Sequence, residues 1–200
     1  MMEKFVLASG NEHKLIEIKK VLKDFGIDIV TMSEVGLGDL EIIEDGDTFE
    51  ENSFIKAAEV LKRTGLPTIA DDSGLMVNFL DGAPGVYSAR FAGENVTYED
   101  NNDKLIEELK DVKEVERGAK FVTVITLLFP SGDKIVARGE INGRILSERK
   151  GEKGFGYDPL FYVEKYGKTF AEMPLELKNE ISHRGKALVS LKDQLEVYYG

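Results

Sequence analysis

The order of apolar and polar positions along the chain predicts strands that alternate with helices. Residues 4–8, KFVLA, form an apolar run with the length of a buried strand. Apolar side chains then recur at helical spacing through residues 12–25, and Gly26 marks the end of that helix. Residues 27–32, IDIVTM, predict a second strand. The chain is therefore expected to begin as a strand, a loop, a helix and a strand.

A second helix and a third strand are predicted next. Thr48 and Glu51 have the spacing of a capping box, and Gly65 closes the helix that follows. One face of this helix is expected to carry the apolar side chains of Phe54, Ala57, Ala58 and Leu61. Residues 68–72, TIADD, then predict a strand that ends in a turn.

The second half of the chain predicts an antiparallel part of the sheet. Thr97 is expected to cap another helix, with Leu105 and Leu109 on its apolar face. Residues 120–129 are apolar on both faces, which is typical of a central strand, and the turn PSGD folds them back as a hairpin onto residues 134–141. Ser182 precedes a last helix. We predict an α/β fold, a mixed sheet flanked by helices, in one domain over residues 1–200.

Composition narrows the possible partners. The chain has 200 residues, with 26 Lys+Arg against 37 Asp+Glu, and this excess of negative charge disfavours nucleic-acid backbones and anionic membranes. It contains no cysteine, which excludes disulfides and thiolate chemistry, and its two histidines disfavour an all-protein zinc site. No apolar stretch has the roughly 20 residues of a membrane span, and the start lacks a secretory pattern. We expect a cytoplasmic protein.

The loop SGNEHK, between the first strand and the first helix, offers an anion site. Free backbone N–H groups at a helix start suit an anion, and Lys14 lies one turn into the helix. The alternative is an ordinary helix start, capped by Ser9 or Asn11. The local sequence leaves both readings open.

The stretch ADDSG, residues 70–74, contains two adjacent carboxylates, Asp71 and Asp72, whose roles should differ. Side chains alternate along a strand, so we expect Asp71 and Asp72 to point to opposite faces. One of them is expected to cap a turn at Ser73 and Gly74, and the other, at the end of the strand, has the chemistry of a Mg²⁺ ligand. A further acidic loop could add a ligand or simply be solvated; it contains Glu41, Glu44, Asp45 and Asp47.

Two stretches near the C-terminus also suit a ligand. His183 and Arg184 lie in the first turn of the last helix, where the helix dipole disfavours cations, so either a ligand with acceptors or an internal carboxylate should compensate. In GFGYDP, either the glycines form a hinge between aromatic core residues, or Phe155 stacks on a planar base while Asp158 accepts hydrogen bonds from it.

Taken in order, these stretches resemble the inosine triphosphate pyrophosphatase family, whose members hydrolyse non-standard purine nucleoside triphosphates. The matching segments run from residue 7 to residue 188 and are SGNEHK, ENSFIKA, IADDSGL with GAPGVYSARF, GFGYDP, and AEM followed by EISHRGKAL. The resemblance implies an elongated α/β structure with two lobes, a cleft between them, and a homodimer.

The resemblance also implies a role for individual residues. It places the triphosphate at Ser9, Gly10, Asn11, Lys14 and Lys56. It assigns Glu41 and Asp72 as metal ligands and Asp72 as the catalytic proton acceptor. The remaining substrate contacts, around the base and the neighbouring phosphates, are Ser73, Phe155, Gly156, Tyr157, Asp158, Lys178, His183 and Arg184.

The implied reaction is hydrolysis of ITP, dITP and XTP to the monophosphate and pyrophosphate. Water would attack the α-phosphorus with Mg²⁺, or Mn²⁺ as a substitute, offsetting the negative charge. A protein that senses nucleotides without turnover is the alternative, and intact Asp72 and Glu41 argue against it. Another phosphohydrolase is disfavoured because the chain has no Walker A loop.

Overall fold

A computed structural model describes residues 3–10 and 12–200, and only the backbone at residues 12 and 13. The helices are α1 (Glu12–Leu22), α2 (Phe49–Thr64), α3 (Tyr98–Glu108), α4 (Leu175–Ile181) and α5 (His183–Tyr199). The strands are β1 (Glu3–Leu7), β2 (Ile27–Thr31), β3 (Thr68–Val77), β4 (Gly118–Leu128), β5 (Lys134–Ile145), β6 (Phe161–Val163) and β7 (Lys168–Thr169). Within these described ranges, no helix has the length and apolarity needed to cross a membrane.

The sheet is mixed, as predicted. Across the described residues its strands run in the order β2-β1-β3-β4-β5-β6-β7. β1 pairs in parallel with both β2 and β3, whereas β5 with β6 and β6 with β7 are antiparallel pairs. The parallel pairs need crossover connections, which α1 and α2 supply.

The chain divides into two compact units. The first unit comprises Met1–Asp72, Thr123–Gly139 and Ala187–Gly200, and the second comprises Ser73–Val122 and Glu140–Lys186. Each unit has its own buried apolar core. The two lobes and the cleft that the resemblance implies stay predictions.

In the first unit, helices cover both faces of the sheet. Phe5 and Leu7 of β1 belong to a core that α1 and α5 complete, with Ile18 and Leu191 among its members. The alternate β1 residue, Val6, belongs to a second cluster with α2. This division follows from the opposite directions of successive side chains on a strand.

The predicted apolar face of α2 is wrong in part. Phe54 is 44% exposed, while the polar residues Asn52 and Ser53 are buried. Ser53 is satisfied there, because its Oγ lies 2.8 Å from Thr126 Oγ1. Polar side chains that have partners inside the protein therefore lie on the buried face of α2, where a purely apolar pattern would place Phe54. The predicted capping box of Thr48 and Glu51 is confirmed.

The predicted turn after Asp72 is also wrong. β3 continues to Val77, because Leu75 and Val77 are fully buried in the core of the second unit and prolong the alternation of the strand. The backbone N–H of Leu75 donates to Ser88 Oγ at 2.9 Å. Neither aspartate at 71 or 72 therefore caps a turn at Ser73 and Gly74.

The remaining elements agree with the sequence. Thr97 caps α3 in a capping box with Asp100, and Leu105 and Leu109 are buried in the second unit. The turn after β4 is closed by a hydrogen bond from the Phe129 N–H to the Asp133 carbonyl, at 3.0 Å. Ser182 Oγ accepts from the Gly185 N–H at 3.1 Å, as expected at the start of α5.

Candidate functional site

In the first unit, Asp71 pairs with Lys14, a lysine in the first turn of α1. Its side chain on β3 is buried, and its Oδ2 lies 2.8 Å from Lys14 Nζ on α1. Ser9 is half-buried and Gly10 exposed just before that helix, and Asn11 lies outside the described residues. The ion pair explains Asp71 without a turn: it fixes the ammonium group of Lys14 near the start of α1.

Lys56 of α2 lies between two carboxylates. Its Nζ is 2.6 Å from Glu44 Oε2 and 3.5 Å from Asp72 Oδ1. Burial by itself lowers the pKa of Lys56, but the charges of Asp72 and Glu44 outweigh burial and leave the pKa above its ordinary value. Lys56 is therefore a permanent cation at neutral pH.

Asp72 is more basic than an ordinary aspartate. Burial raises the pKa of Asp72, and the negative charge of Glu44 raises it further. Lys56, a hydrogen bond from the Asn52 side chain and Lys14 lower the pKa, without cancelling the rise. A carboxylate with a raised pKa is a better proton acceptor, which suits a general base.

Asn52 is a functional candidate that the sequence reasoning missed. It is 1% exposed, its Oδ1 accepts from the Gly46 N–H at 2.9 Å, and its side chain is near enough to Asp72 to lower the pKa of that carboxyl group. A Cβ at Gly46 would lie 2.8 Å from Asn52 Oδ1, so glycine is needed for this close approach. Asn52 thus ties the acidic loop to Asp72. A polar residue on the buried side of an amphipathic helix was the available signal.

The acidic loop brings Glu44 into this cluster. Glu41, assigned from the resemblance, is exposed, and it is the Glu44 carboxylate that reaches Lys56. Among the residues that the structure describes, no three acidic, histidine or cysteine side chains are grouped as a complete metal site. Mg²⁺ commonly uses one or two carboxylates, with water and substrate phosphates as its other ligands. Glu44 and Asp72 offer the oxygen donors that such an ion takes.

In the second unit, Asp158 organises the loop of residues 154–158. Its Oδ2 accepts from the Phe155 N–H at 2.9 Å and forms an ion pair with Lys178. Burial raises the pKa of Asp158, and the nearby charges of Lys178 and Arg184 reduce that rise without cancelling it. A Cβ at Gly154 would lie 2.0 Å from Asp158 Oδ2, so only glycine fits there.

Two aromatic residues of this loop have different environments. Phe155 is 39% exposed, and its ring centroid lies 5.0 Å from Lys178 Nζ and 6.0 Å from Arg184 Cζ. Tyr157 is buried in the core, where its hydroxyl donates to the Ser88 carbonyl at 2.8 Å. Tyr157 is therefore a core residue, as the first alternative drawn from the sequence has it, and stacking of Phe155 on a planar base stays a prediction.

The first turn of α5 is almost buried. The His183 ring stacks on Phe121 with 4.7 Å between centroids, and the Arg184 charge acts on Asp158. Asp158 is thus an internal carboxylate of the kind expected near Arg184. A Cβ at Gly185 would lie 1.8 Å from the Asn179 carbonyl, so glycine permits α4 and α5 to approach. Ser73, the other assigned contact in this unit, is half-buried on β3.

The sequence profile of the Ham1 family matches residues 5–194. The chain belongs to the Ham1 family. The matched range includes every candidate residue described above in both units. The resemblance inferred from the sequence is thereby confirmed.

Relatives of this Ham1 chain support the assignment. A dITP/XTP pyrophosphatase of Clostridium perfringens is 54% identical, over 98% of each chain. The Ham1 protein structure from Staphylococcus aureus has a TM-score of 0.92 at 41% identity and covers 98% of this chain and 100% of that one. The Ham1 protein of Coxiella burnetii gives 0.91 at 42% identity, covering 98% and 99%. The α/β fold with a mixed sheet is that of the family.

Proposed function

We propose that this chain hydrolyses dITP, XTP and ITP to the monophosphate and pyrophosphate, and so removes non-standard purine nucleotides from the cytoplasmic pool. The observation that carries the proposal is Lys56 between Glu44 and Asp72, in a Ham1 chain whose relatives are named dITP/XTP pyrophosphatases. A buried cation beside a basic carboxylate suits both phosphate binding and activation of water.

The residues of the first unit supply the phosphate chemistry. Lys14 and Lys56 offset the charge of the triphosphate, which an acidic protein would otherwise repel. Asp72 accepts the proton from the water that attacks the α-phosphorus, and pyrophosphate leaves. Mg²⁺, or Mn²⁺ as a substitute, would be held by Asp72 and Glu44; when bound, it supplies charge neutralisation at the phosphates. We favour Glu44 over Glu41 because Glu44 shares Lys56 with Asp72.

The residues of the second unit supply base recognition. Phe155 offers a partly exposed ring for stacking on a purine. Arg184 and Lys178 are donors for a 6-oxo group, and Asp158 is an acceptor held in place by the loop. Adenine carries an amino group at the 6-position, so it would set donor against donor and leave buried groups unpaired, which can cost about 10⁴-fold in turnover.

One experiment tests the proposal as a whole. The protein is incubated with dITP, XTP, ITP, dATP and dGTP in the presence of Mg²⁺, and pyrophosphate and orthophosphate are assayed separately. We expect pyrophosphate from the first three nucleotides and little from the last two. Orthophosphate as the sole primary product would indicate another phosphohydrolase, and tight binding without any product would indicate a nucleotide sensor.

Arg184→Ala should relax base selectivity. Loss of the guanidinium donor removes a favourable contact to the 6-oxo group and the conflict with adenine, so we expect the ratio of ITP to ATP turnover to fall about tenfold. The comparison is kcat/KM for both nucleotides. Arg63→Ala is the control, since Arg63 forms an exposed pair with Glu59 on α2. An unchanged ratio in Arg184→Ala would remove Arg184 from base recognition.

We also propose that the protein is a homodimer. Tyr87, in the stretch GAPGVYSARF, is 55% exposed, while Phe91 packs partly against the core of the second unit, with Lys104 Nζ 4.4 Å from its ring centroid. Light scattering at micromolar concentration should give about twice the mass of one chain. A single-chain mass over the whole working range would refute the dimer.

A further inference from the structure

Asn102 connects α3 to the loop of residues 154–158. The side chain is 3% exposed, and its Nδ2 donates to the Gly156 carbonyl at 2.9 Å and to the Tyr98 carbonyl at 2.8 Å. The Tyr98 carbonyl lies one turn earlier in the same helix, and carbonyl groups within a helix already accept a hydrogen bond from a backbone N–H. The bond to Gly156 is therefore the contact that the Asn102 side chain adds between two separate elements.

Asparagine is a costly choice at this position. It is a weak helix former, and position 102 lies on the buried face of α3, three residues before Leu105. Among the residues that the structure describes, Asn102 Oδ1 is buried without a hydrogen-bond partner. A buried acceptor without a partner destabilises the fold. Stability alone therefore favours an apolar residue here, and the bond to Gly156 is the compensating contact.

The hydrogen bond from Asn102 reaches the 154–158 loop at Gly156, the residue that other contacts constrain least. Gly156 has φ +61°, and a Cβ there would have no neighbour within 4 Å, so crowding does not fix this residue. The residues beside it are fixed, since the Phe155 N–H is bound by Asp158 and the Tyr157 hydroxyl by Ser88. Glycine rotates readily, and the Asn102 bond restrains the peptide between these two anchors.

The same helix also supports the ring of Phe155. Tyr98, one turn before Asn102, has its ring centroid 6.2 Å from that of Phe155. Helix α3 thus contacts both the exposed ring and the adjacent carbonyl. A rotation at Gly156 would displace the ring from Lys178 and Arg184, whose charged groups lie 5.0 Å and 6.0 Å from its centroid.

We propose that Asn102 is a positioning residue that fixes the 154–158 loop so that Phe155 presents its ring to the purine. This inference rests on the proposed function, because it takes the loop as the part that binds the base. Asn102 does not touch the substrate; it sets the affinity for the base through the Gly156 carbonyl. Loss of Asn102 should therefore weaken base binding while leaving phosphate binding intact.

The matched test compares Asn102→Ala with Asn101→Ala. Asn101 is the neighbouring residue, is 2% exposed and also makes two hydrogen bonds, accepting from the Ala92 N–H at 2.7 Å and donating to the Ala89 carbonyl at 3.1 Å. Titration calorimetry measures two affinities. The affinity for inosine monophosphate depends on binding of the base, whereas the affinity for pyrophosphate with Mg²⁺ depends on phosphate binding alone. Thermal midpoints are recorded for both variants.

We expect Asn102→Ala to bind inosine monophosphate about tenfold more weakly, with pyrophosphate affinity unchanged and KM for ITP raised by a similar factor. Asn101→Ala should keep both affinities whatever its thermal midpoint. Should Asn102→Ala fail to fold, Gly156→Ala disturbs the same peptide through its positive φ and should give the same selective loss. Equal affinities for inosine monophosphate in Asn102→Ala and the parent, or equal losses in the Asn101 and Asn102 variants, would overturn the proposal.

A third arm separates this inference from the proposed function. Phe155→Ala should weaken inosine monophosphate binding at least as much as Asn102→Ala does. If Phe155→Ala weakens binding and Asn102→Ala does not, the positioning role alone is wrong. If neither variant changes the affinity, the loop does not bind the base. The role of Asn102 and the assignment of the base site are then both wrong.

Discussion

Asp72→Asn should abolish nearly all turnover of dITP. The substitution removes the group that we propose as proton acceptor, a role that alone contributes about 10²–10⁴-fold, and it weakens the pair of carboxylates that we assign to Mg²⁺. Asparagine keeps the size of the side chain, and Lys14 and Lys56 remain to bind the triphosphate. We therefore expect kcat to collapse while nucleotide binding persists. Turnover over a Mg²⁺ titration, with binding measured separately, checks this.

Asp71→Asn is the matched control for that experiment. Asp71 is adjacent, but its buried carboxylate forms an ion pair with the partly exposed Lys14 and contributes to the position of that cation. Its loss should lower the thermal midpoint and raise KM, because the substitution removes the compensation that the Asp71 carboxylate gives to the Lys14 charge. The assignment of roles fails if Asp72→Asn keeps more than about a tenth of the activity at saturating metal, or if Asp71→Asn is the more damaging variant in kcat.

Lys56→Met should weaken triphosphate binding and strengthen metal binding at the same time. A hydrogen-bonded cation at phosphate is worth roughly 10–100-fold in affinity, so KM should rise by that order. Without the ammonium group, Glu44 and Asp72 are no longer neutralised, and the free protein should bind Mg²⁺ more tightly. Calorimetric titration with Mg²⁺ and measurement of KM test the two effects separately.

The same variant has a pH signature. Lys56 lowers the pKa of Asp72, so its removal should raise that pKa further. A general base works only in its deprotonated form, and the acid limb of the pH–rate profile should therefore move to higher pH. Lys62→Met is the control, since Lys62 is exposed near the end of the same helix. An unchanged KM, or weaker Mg²⁺ binding in Lys56→Met, would contradict the role of Lys56.

The sequence predicted elements whose signals are local. The capping residues Thr48 and Thr97 were identified because a side chain and a backbone N–H three residues later suffice to define a cap. Residues 120–129 were identified as a central strand because burial on both faces favours apolar residues at successive positions, as in most of this segment. The family assignment came from motifs in a fixed order, and the family profile confirmed it.

The errors arose where distant residues decide the outcome. The end of β3 was placed too early, because Ser73 and Gly74 resemble a turn while Leu75 and Val77 are buried by elements far along the chain. The inward side of α2 was misjudged because Ser53 has its partner at Thr126, which no local pattern reveals.

The contacts of the site were likewise set by tertiary packing. Alternation on β3 separated Asp71 from Asp72, but it could not show that Lys14 pairs with the first and Lys56 with the second. Choosing Glu44 in place of Glu41 required the course of the acidic loop, which Gly46 and Asn52 fix by their close contact. A loop without periodicity gives no sequence signal for such a choice.

The central claim is that water attacks the α-phosphorus of a non-standard purine nucleoside triphosphate. Hydrolysis of dITP in ¹⁸O-labelled water, followed by mass spectrometry of the separated products, tests it most directly. Attack at the α-phosphorus places one labelled oxygen in deoxyinosine monophosphate and none in the pyrophosphate released. Label in the pyrophosphate, or label in orthophosphate with a nucleoside diphosphate as the other product, would contradict it.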